Sequence, residues 1–356
     1  MQILFDWDPI KAELFETSGE ASENGESIYC VSPYVATTHQ SQFRSSLWLD
    51  TNVMLRTPAT NIKPNIRALL TWAGERGMNI NLDLAIWELT RSKPIGECLA
   101  KVEECTNALK VKFGLDIPQE MWMAQTQYRF DHKNMLDEYI DQQAQYLIII
   151  KYFYHQDGKF EEKCERFASF IHAYLPFFRI IYLAGLLYLF AKQKGFLFED
   201  KAKRKWQADM DRGTSSRHWS QAKNAASDLA ITTFVTFFPL IPMTDILDIP
   251  YIATSDCGLV GFLSELGYGG IHIDEGPYRV GYGKAGYREE SIARGCGVAS
   301  IADRLSDQFS FNVKHTGDEK ALRLKNLSEI SDLILEKDFK ISLVELKQHL
   351  EDRKAR

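Results

Sequence analysis

The stretch that decides the fold is Ser46-Leu47-Trp48-Leu49-Asp50-Thr51-Asn52-Val53, a short apolar run that stops at an acid and a turn. Such a run between turn signals reads as a core strand. Working outward, Ile66 to Arg76 has helical spacing and is closed by Gly77, which accepts the left-handed backbone that ends helices. Met78-Asn79-Ile80-Asn81-Leu82 then alternates as a second strand. Leu84 to Arg91 is helical again and ends before Pro94, whose ring disfavours helix in the residue ahead of it. Strand, helix, strand, helix in this order is the signature of a parallel sheet, so the expected class is α/β.

Beyond Glu88 the character changes. Segments of helical period run at about 95–113, 118–155 and 159–194 with few turn signals between them, and residues 93–221 are therefore expected to form a large all-helical insertion. From Asn224 the mixed pattern returns: a helix at Ser227 to Phe238, a strand at Tyr251 to Thr254 ending before Asp256, a helix at Leu259 to Leu266, and a strand at Gly270 to Ile273 that completes the sheet. Residues 1–44 form an N-terminal extension, in which the polar run Glu16 to Glu26 is a loop between a short helix and the first core strand. Residues 276–356 form a C-terminal extension that starts rich in glycine and tyrosine. It ends in two amphipathic helices, near 327–336 and 342–353. The α/β core is expected at 45–92 and 222–275.

With 356 residues, 45% of them hydrophobic and 25% charged, the composition is that of an ordinary globular protein, which excludes disordered and collagen-like classes. A formal charge of −6 argues against coating nucleic acid through the overall field, but leaves local basic patches open. Cysteines at 30, 98, 105, 164, 257 and 296 include no C-x-x-C pair and no zinc-like spacing with histidine. Reduced thiols in a cytoplasmic protein are expected, with no disulfide framework and no structural zinc. The first residues carry acids and no basic region leading into an apolar core, so no secretory signal is expected. The most apolar stretch, Phe170 to Ala191, holds His172, Pro176 and Arg179 in its first half, and its clean apolar part falls short of the roughly 20 residues a membrane span needs. It is expected to be a packed helix of the insertion.

Four acids carry the candidate chemistry. Asp50 would sit at the carboxyl edge of a parallel sheet, where open α/β folds place ligands; the ordinary alternative is a helix cap. Glu88 lies in Leu84-Ala85-Ile86-Trp87-Glu88-Leu89, and an ionised glutamate on such an apolar turn needs water, a cation or a partner such as Arg91 at i+3. Asp228 starts a helix, where the dipole favours a carboxylate, and Asp256 follows a strand and is placed to cap the next helix. All four fall at element ends on what would be one edge of the sheet. Carboxylates gathered there repel one another, and hard oxygen ligands are what Mg²⁺ or Mn²⁺ prefers.

These blocks resemble the PIN-domain nuclease family. Leu49-Asp50-Thr51-Asn52-Val53 is similar to the family's first-strand acid motif, Gly77 to Glu88 to its second strand and glutamate-bearing helix, and Asp228 and Thr254-Ser255-Asp256 to its third and fourth acidic positions. The resemblance covers about 45–92 and 222–275. It implies a PIN-like open parallel sheet flanked by helices, interrupted by the helical insertion and followed by the C-terminal extension. It also implies a divalent-metal-dependent nuclease that hydrolyses phosphodiester bonds, of RNA in preference to DNA. Asp50, Glu88, Asp228 and Asp256 would hold one or two ions, and a metal-activated water would attack in line. Thr51, Asn52 and Thr254 would orient the acids by hydrogen bonds, with turn chemistry and capping as the alternative for each.

Three features depart from the family pattern. The insertion between Glu88 and Asp228 is long, the stretch from Asp228 to Asp256 carries an extra loop with Pro239, Pro242, Asp245, Asp248 and Pro250, and the C-terminal extension has no counterpart. A haloacid-dehalogenase-like phosphatase would need a second acid two residues after Asp50, where this chain has Asn52. Gly281 to Gly286 lacks the following helix of a dinucleotide-binding turn.

Between 201 and 223, Lys201, Lys203, Arg204, Lys205, Arg212, Arg217 and Lys223 face only Asp209 and Asp211, with Trp206, His218 and Trp219 interleaved. A solvated helix face is the ordinary explanation of such a run. The other is a guide for single-stranded substrate, in which Lys203, Arg204, Lys205, Arg217 and Lys223 contact phosphates. The alternative to catalysis is a degenerate PIN-like module that binds nucleic acid or protein. The helical insertion is where self-association or a regulatory protein partner is expected.

Overall fold

The structure is a computed structural model and describes residues 13–15, 28–31, 34–35, 43–193, 219–220, 222–223, 226–227, 230, 247–255, 265–269, 271–273, 280–282, 285–287, 291–309, 311 and 315–354. Ahead of the decisive stretch the described residues form short strands β1 (Glu13–Phe15), β2 (Ile28–Val31) and β3 (Tyr34–Val35). The decisive stretch is β4 (Phe43–Leu49), followed at once by α1 (Thr51–Arg56), then α2 (Pro64–Glu75), β5 (Asn79–Asn81) and α3 (Asp83–Ser92). Pro64 opens α2 at a position where its missing N–H costs nothing, and Gly77 leaves the helix with φ +61°. The strand-helix-strand-helix reading holds element by element.

Much later in sequence, β6 (Leu247–Thr254) returns to the sheet. The strand order is β1-β2-β6-β4-β5. β4 runs parallel to both neighbours, with Leu47 opposite Ile80 on β5 and Leu49 opposite Ala253 on β6. The sheet is not wholly parallel, as the sequence pattern implied. β2 pairs antiparallel with β6, setting Cys30 opposite Ala253, and β1 pairs antiparallel with β2. In the segment before Glu16, where a short helix is expected, Glu13–Phe15 form strand β1, and residues 1–12 lie outside the described residues. Ile28-Tyr29-Cys30-Val31 is apolar, aromatic and β-branched, and it covers an edge of β6 that would otherwise expose unpaired backbone.

Two further expectations are corrected. Leu266, expected to end a helix, begins β7 (Leu266–Gly269), which pairs parallel with β3 through Tyr34 opposite Tyr268; residues 259–264 lie outside the described residues. β8 (Ile271–Ile273) does not complete the central sheet. It pairs antiparallel with β9 (Val280–Tyr282), a partner only a few residues away in sequence and cheaper to reach than a distant strand.

The chain divides into two units, residues 1–137, 231–263 and 267–284 in the first, and 138–230, 264–266 and 285–356 in the second. In the first, Leu47 and Leu49 of β4, Ile66 and Leu70 of α2, and Ile86 of α3 share one buried core with Cys98, Val102 and Leu109 of α4 (Ile95–Phe113) and Trp122 of α5 (Gln119–Asp131). Helices α4 and α5, grouped by sequence with the insertion, therefore belong to the core of the first unit, where they pack on each other and against α3, with α4 also against α1 and α2. The division between the units falls inside α6 (Lys133–His155).

The second unit holds most of α6 together with α7 (Phe160–Tyr174), α8 (Arg179–Gln193), α9 (Val298–Phe309), α10 (Gly317–Glu336) and α11 (Leu343–Lys354). Its centre is aromatic. Phe153 of α6 lies 5.5 Å and 5.6 Å, ring to ring, from Phe167 and Phe170 of α7. Gly185 of α8 leaves room for the Ile150 side chain of α6, since a Cβ there would stand 2.9 Å from Ile150 Cδ1. Phe170 to Ala191, expected as one helix, is two. Pro176 cannot donate to a helix, and Leu175 before it is extended at φ −116°, ψ 158°. Arg323 of α10 donates to the freed carbonyls of His172 (3.0 Å) and Leu175 (2.7 Å), and Asn326 to that of Tyr174 (3.0 Å), so the C-terminal extension closes the end of α7. Among the described residues no helix is long and apolar enough to cross a membrane.

Candidate active site at the carboxyl edge of the sheet

Where β4 ends, the ladder continues one residue further, and the Asp50 N–H donates to Ala253 O of β6 at 3.0 Å. The Asp50 carbonyl then starts α1, accepting from Val53 (3.0 Å) and Met54 (2.9 Å). Asp50 is therefore the residue preceding the helix, but its side chain makes no capping hydrogen bond. Its Oδ2 instead accepts from the Thr254 hydroxyl at 2.8 Å, across to the end of the adjacent parallel strand. Asp50 is 5% exposed and Thr254 fully buried. The carboxylate is thus aimed by tertiary structure, not by the turn it sits in. Asn52 Nδ2 stands 3.5 Å from the same oxygen, too long for a strong bond.

Glu88 reaches this edge from α3, the helix that follows β5. The Thr51 hydroxyl donates to Glu88 Oε2. Because Thr51 directly follows Asp50, one backbone step and one hydroxyl join the two acids. Arg91, the i+3 partner considered for Glu88, places its Nε on Asp137 at 2.7 Å.

The structure thus sets Asp50 and Glu88 at one end of the parallel strands, with Thr51, Asn52 and Thr254 around them. Asp228, Asp256, Lys203, Arg204, Lys205 and Arg217 lie outside the described residues. Lys223 is described, in the second unit, with its Nζ 2.7 Å from Asp141 Oδ1 and 5.5 Å from the Trp219 ring centroid. Both partners of that pair are about a third exposed, so it is worth at most about 1 kcal/mol and costs little to exchange for another anion. Among the described residues no group of three or more His, Cys, Asp or Glu is placed to hold a metal ion. Asp50 and Glu88 supply two carboxylates, hard oxygen donors that suit a small divalent cation.

Beside Glu88 lies an arrangement that sequence reasoning missed. Arg129 of α5 donates through Nε and Nη2 to the two carboxylate oxygens of Asp83, both at 2.9 Å, and Gln125 adds a third bond at 3.1 Å. Arg129 and Asp83 are 8% and 3% exposed. The guanidinium lies 4.8 Å from the ring centroid of Trp87, the neighbour of Glu88. In sequence Asp83 reads only as a residue at the start of a helix, and nothing at a fixed offset connects it to Arg129. Compared with family models, curated proteins and solved structures, the chain matches none.

Proposed function

We propose that this protein is a divalent-metal-dependent nuclease of PIN-like type that hydrolyses phosphodiester bonds of single-stranded nucleic acid, RNA in preference to DNA, in the cytoplasm. The observation that carries the reading is the buried Asp50 carboxylate, turned away from capping its own helix and held by Thr254 of the neighbouring parallel strand, with Glu88 tied to the next residue. A carboxylate taken out of water is retained where a cation or donor hydrogens repay its desolvation. Asp50 and Glu88 would hold Mg²⁺ or Mn²⁺, joined on the family resemblance by Asp228 and Asp256. The ion, when bound, supplies Lewis acidity and lowers the pKa of water. The chain's own part is positional: the β4–β6 ladder fixes the Asp50 backbone, Thr254 its carboxylate and Thr51 that of Glu88. Lys203, Arg204, Lys205, Arg217 and Lys223 would contact the phosphates of a single-stranded substrate.

The test is incubation of the purified protein with labelled single-stranded RNA, single-stranded DNA and duplexes in Mg²⁺, Mn²⁺ or EDTA. Cleavage of single strands with either metal, abolished by EDTA and by Asp50→Asn with the fold retained, is expected. Full activity of Asp50→Asn removes the site assignment. Absence of cleavage together with absence of a carboxylate-dependent Mn²⁺ site in calorimetry leaves a binding module instead.

A further inference from the structure

Trp87, Arg129, Tyr128 and His132 form a ladder of flat groups in the first unit. The Arg129 guanidinium lies 4.8 Å from the Trp87 ring centroid and 5.6 Å from that of Tyr128, and the Tyr128 ring stacks on His132 at 4.2 Å with 28° between the planes. Its inner end is Trp87, adjacent in sequence to Glu88. Its outer end is open, because Tyr128 is 51% exposed and His132 is exposed.

Two features hold the ladder in place. The bidentate bond to the buried Asp83 carboxylate fixes the guanidinium plane. His132 Nδ1 lies 2.8 Å from the Tyr128 carbonyl, which leaves the imidazole little freedom to turn away from the phenol. A buried ion pair is weak evidence of stabilisation, since its desolvation offsets much of its attraction. A pair that orients a planar cation among aromatic rings has a different use. Every nucleobase has a π-face, and an exposed, fixed aromatic ring takes bases by stacking with little regard to sequence.

We propose that the Tyr128–His132 stack is a base-stacking platform for single-stranded nucleic acid, receiving one nucleotide of the strand whose backbone is presented to Asp50 and Glu88. The assignment rests on the nuclease reading for the class of ligand, and on the ladder for the place. It differs from the basic window in kind. Phosphate binding through lysine and arginine makes affinity salt-dependent, whereas a stacking platform recognises the base and leaves the salt slope alone.

The experiment measures anisotropy of a fluorescent twelve-residue oligouridylate, and of the same oligonucleotide carrying abasic positions, with the full chain in EDTA so that cleavage does not compete. The variants are Tyr128→Ala with His132→Ala, and Tyr128→Phe alone, which keeps both π-faces and the His132 bond to the Tyr128 carbonyl. The double alanine variant is expected to bind the oligouridylate about 5- to 100-fold more weakly, with an unchanged slope of log K against log salt. The Tyr128→Phe variant should bind within about threefold of the parent, and the abasic oligonucleotide should not distinguish the three proteins. If the parent binds oligouridylate and the double alanine variant binds it equally well, the platform is overturned while the nuclease reading stands. The platform also falls if the phenylalanine variant loses as much affinity as the alanine variant. Should the parent bind no oligonucleotide while an intact fold is seen by circular dichroism, both readings fall.

Discussion

Thr254→Val removes one hydroxyl and keeps the shape of the side chain. Valine is as much at home in a strand as threonine, and Thr254 is fully buried at the end of β6, so neither propensity nor volume changes much. What disappears is the 2.8 Å bond to the Asp50 carboxylate, itself 5% exposed. A hydrogen bond to a charged group contributes about 1.5–3 kcal/mol net. In EDTA the variant should therefore unfold about 1.5–3 kcal/mol more easily, seen as a fall of about 3–12 °C in midpoint for a unit of this size. The decisive assay is a double-mutant cycle by urea unfolding. In an Asp50→Ala background the same substitution should cost under about 0.5 kcal/mol, because no carboxylate is left to serve. Metal affinity should drop about 10- to 100-fold, as expected when a ligand is deprived of the group that orients it. Equal costs of Thr254→Val in both backgrounds would refute the idea that Thr254 acts through Asp50.

Arg129→Met should destabilise the first unit by about 3–5 kcal/mol, since it strands the Asp83 carboxylate, and adding Asp83→Leu should recover part of that stability; chemical denaturation of the three variants checks it. Burial pushes the Cys105 thiol up to about 12, so only roughly one in ten thousand is thiolate at pH 8. Iodoacetamide on the native protein should therefore modify exposed Cys296 and spare Cys105 until denaturant is added, as peptide mass mapping will show. Replacing Lys203, Arg204 and Lys205 together by Ala should weaken single-strand binding and lower its salt slope by about 0.7 for each phosphate no longer neutralised, with the chemical step little changed. Unchanged affinity and slope would make the window a solvated surface.

Most helices between residues 51 and 193 were legible because their signals are local. The spacing at about 95–113, 118–155 and 159–194 returns as α4, as α5 with α6, and as α7 with α8, and Gly77 and Gly114 end their helices with positive φ. The break before α8 was legible in kind, since Pro176 stood in the apolar run, but there hydrophobicity outweighed the backbone rule. What failed was strand pairing. Nothing in Glu13-Leu14-Phe15 announces a strand until β2 is there to pair with it, and Ile271-His272-Ile273 reads the same whether its partner is the central sheet or the nearby β9. Strand identity is partly local, while partner choice is a property of the whole chain.

The candidate site divides along the same line. That Asp50 and Glu88 occupy one edge follows from strand, turn and helix order, which sequence carries. What Asp50 does with its side chain does not follow, because capping and ligation use the same residue at the same position. The choice is made by register: Leu49 opposite Ala253 sets Thr254 beside Asp50, and the hydroxyl draws the carboxylate away from the helix it precedes. A one-residue slip of β6 would turn Thr254 to the other face of the sheet and break that bond. The long separation of β6 from β4 is therefore no obstacle to the site; the parallel pairing that spans it is what distinguishes an aimed carboxylate from a helix cap.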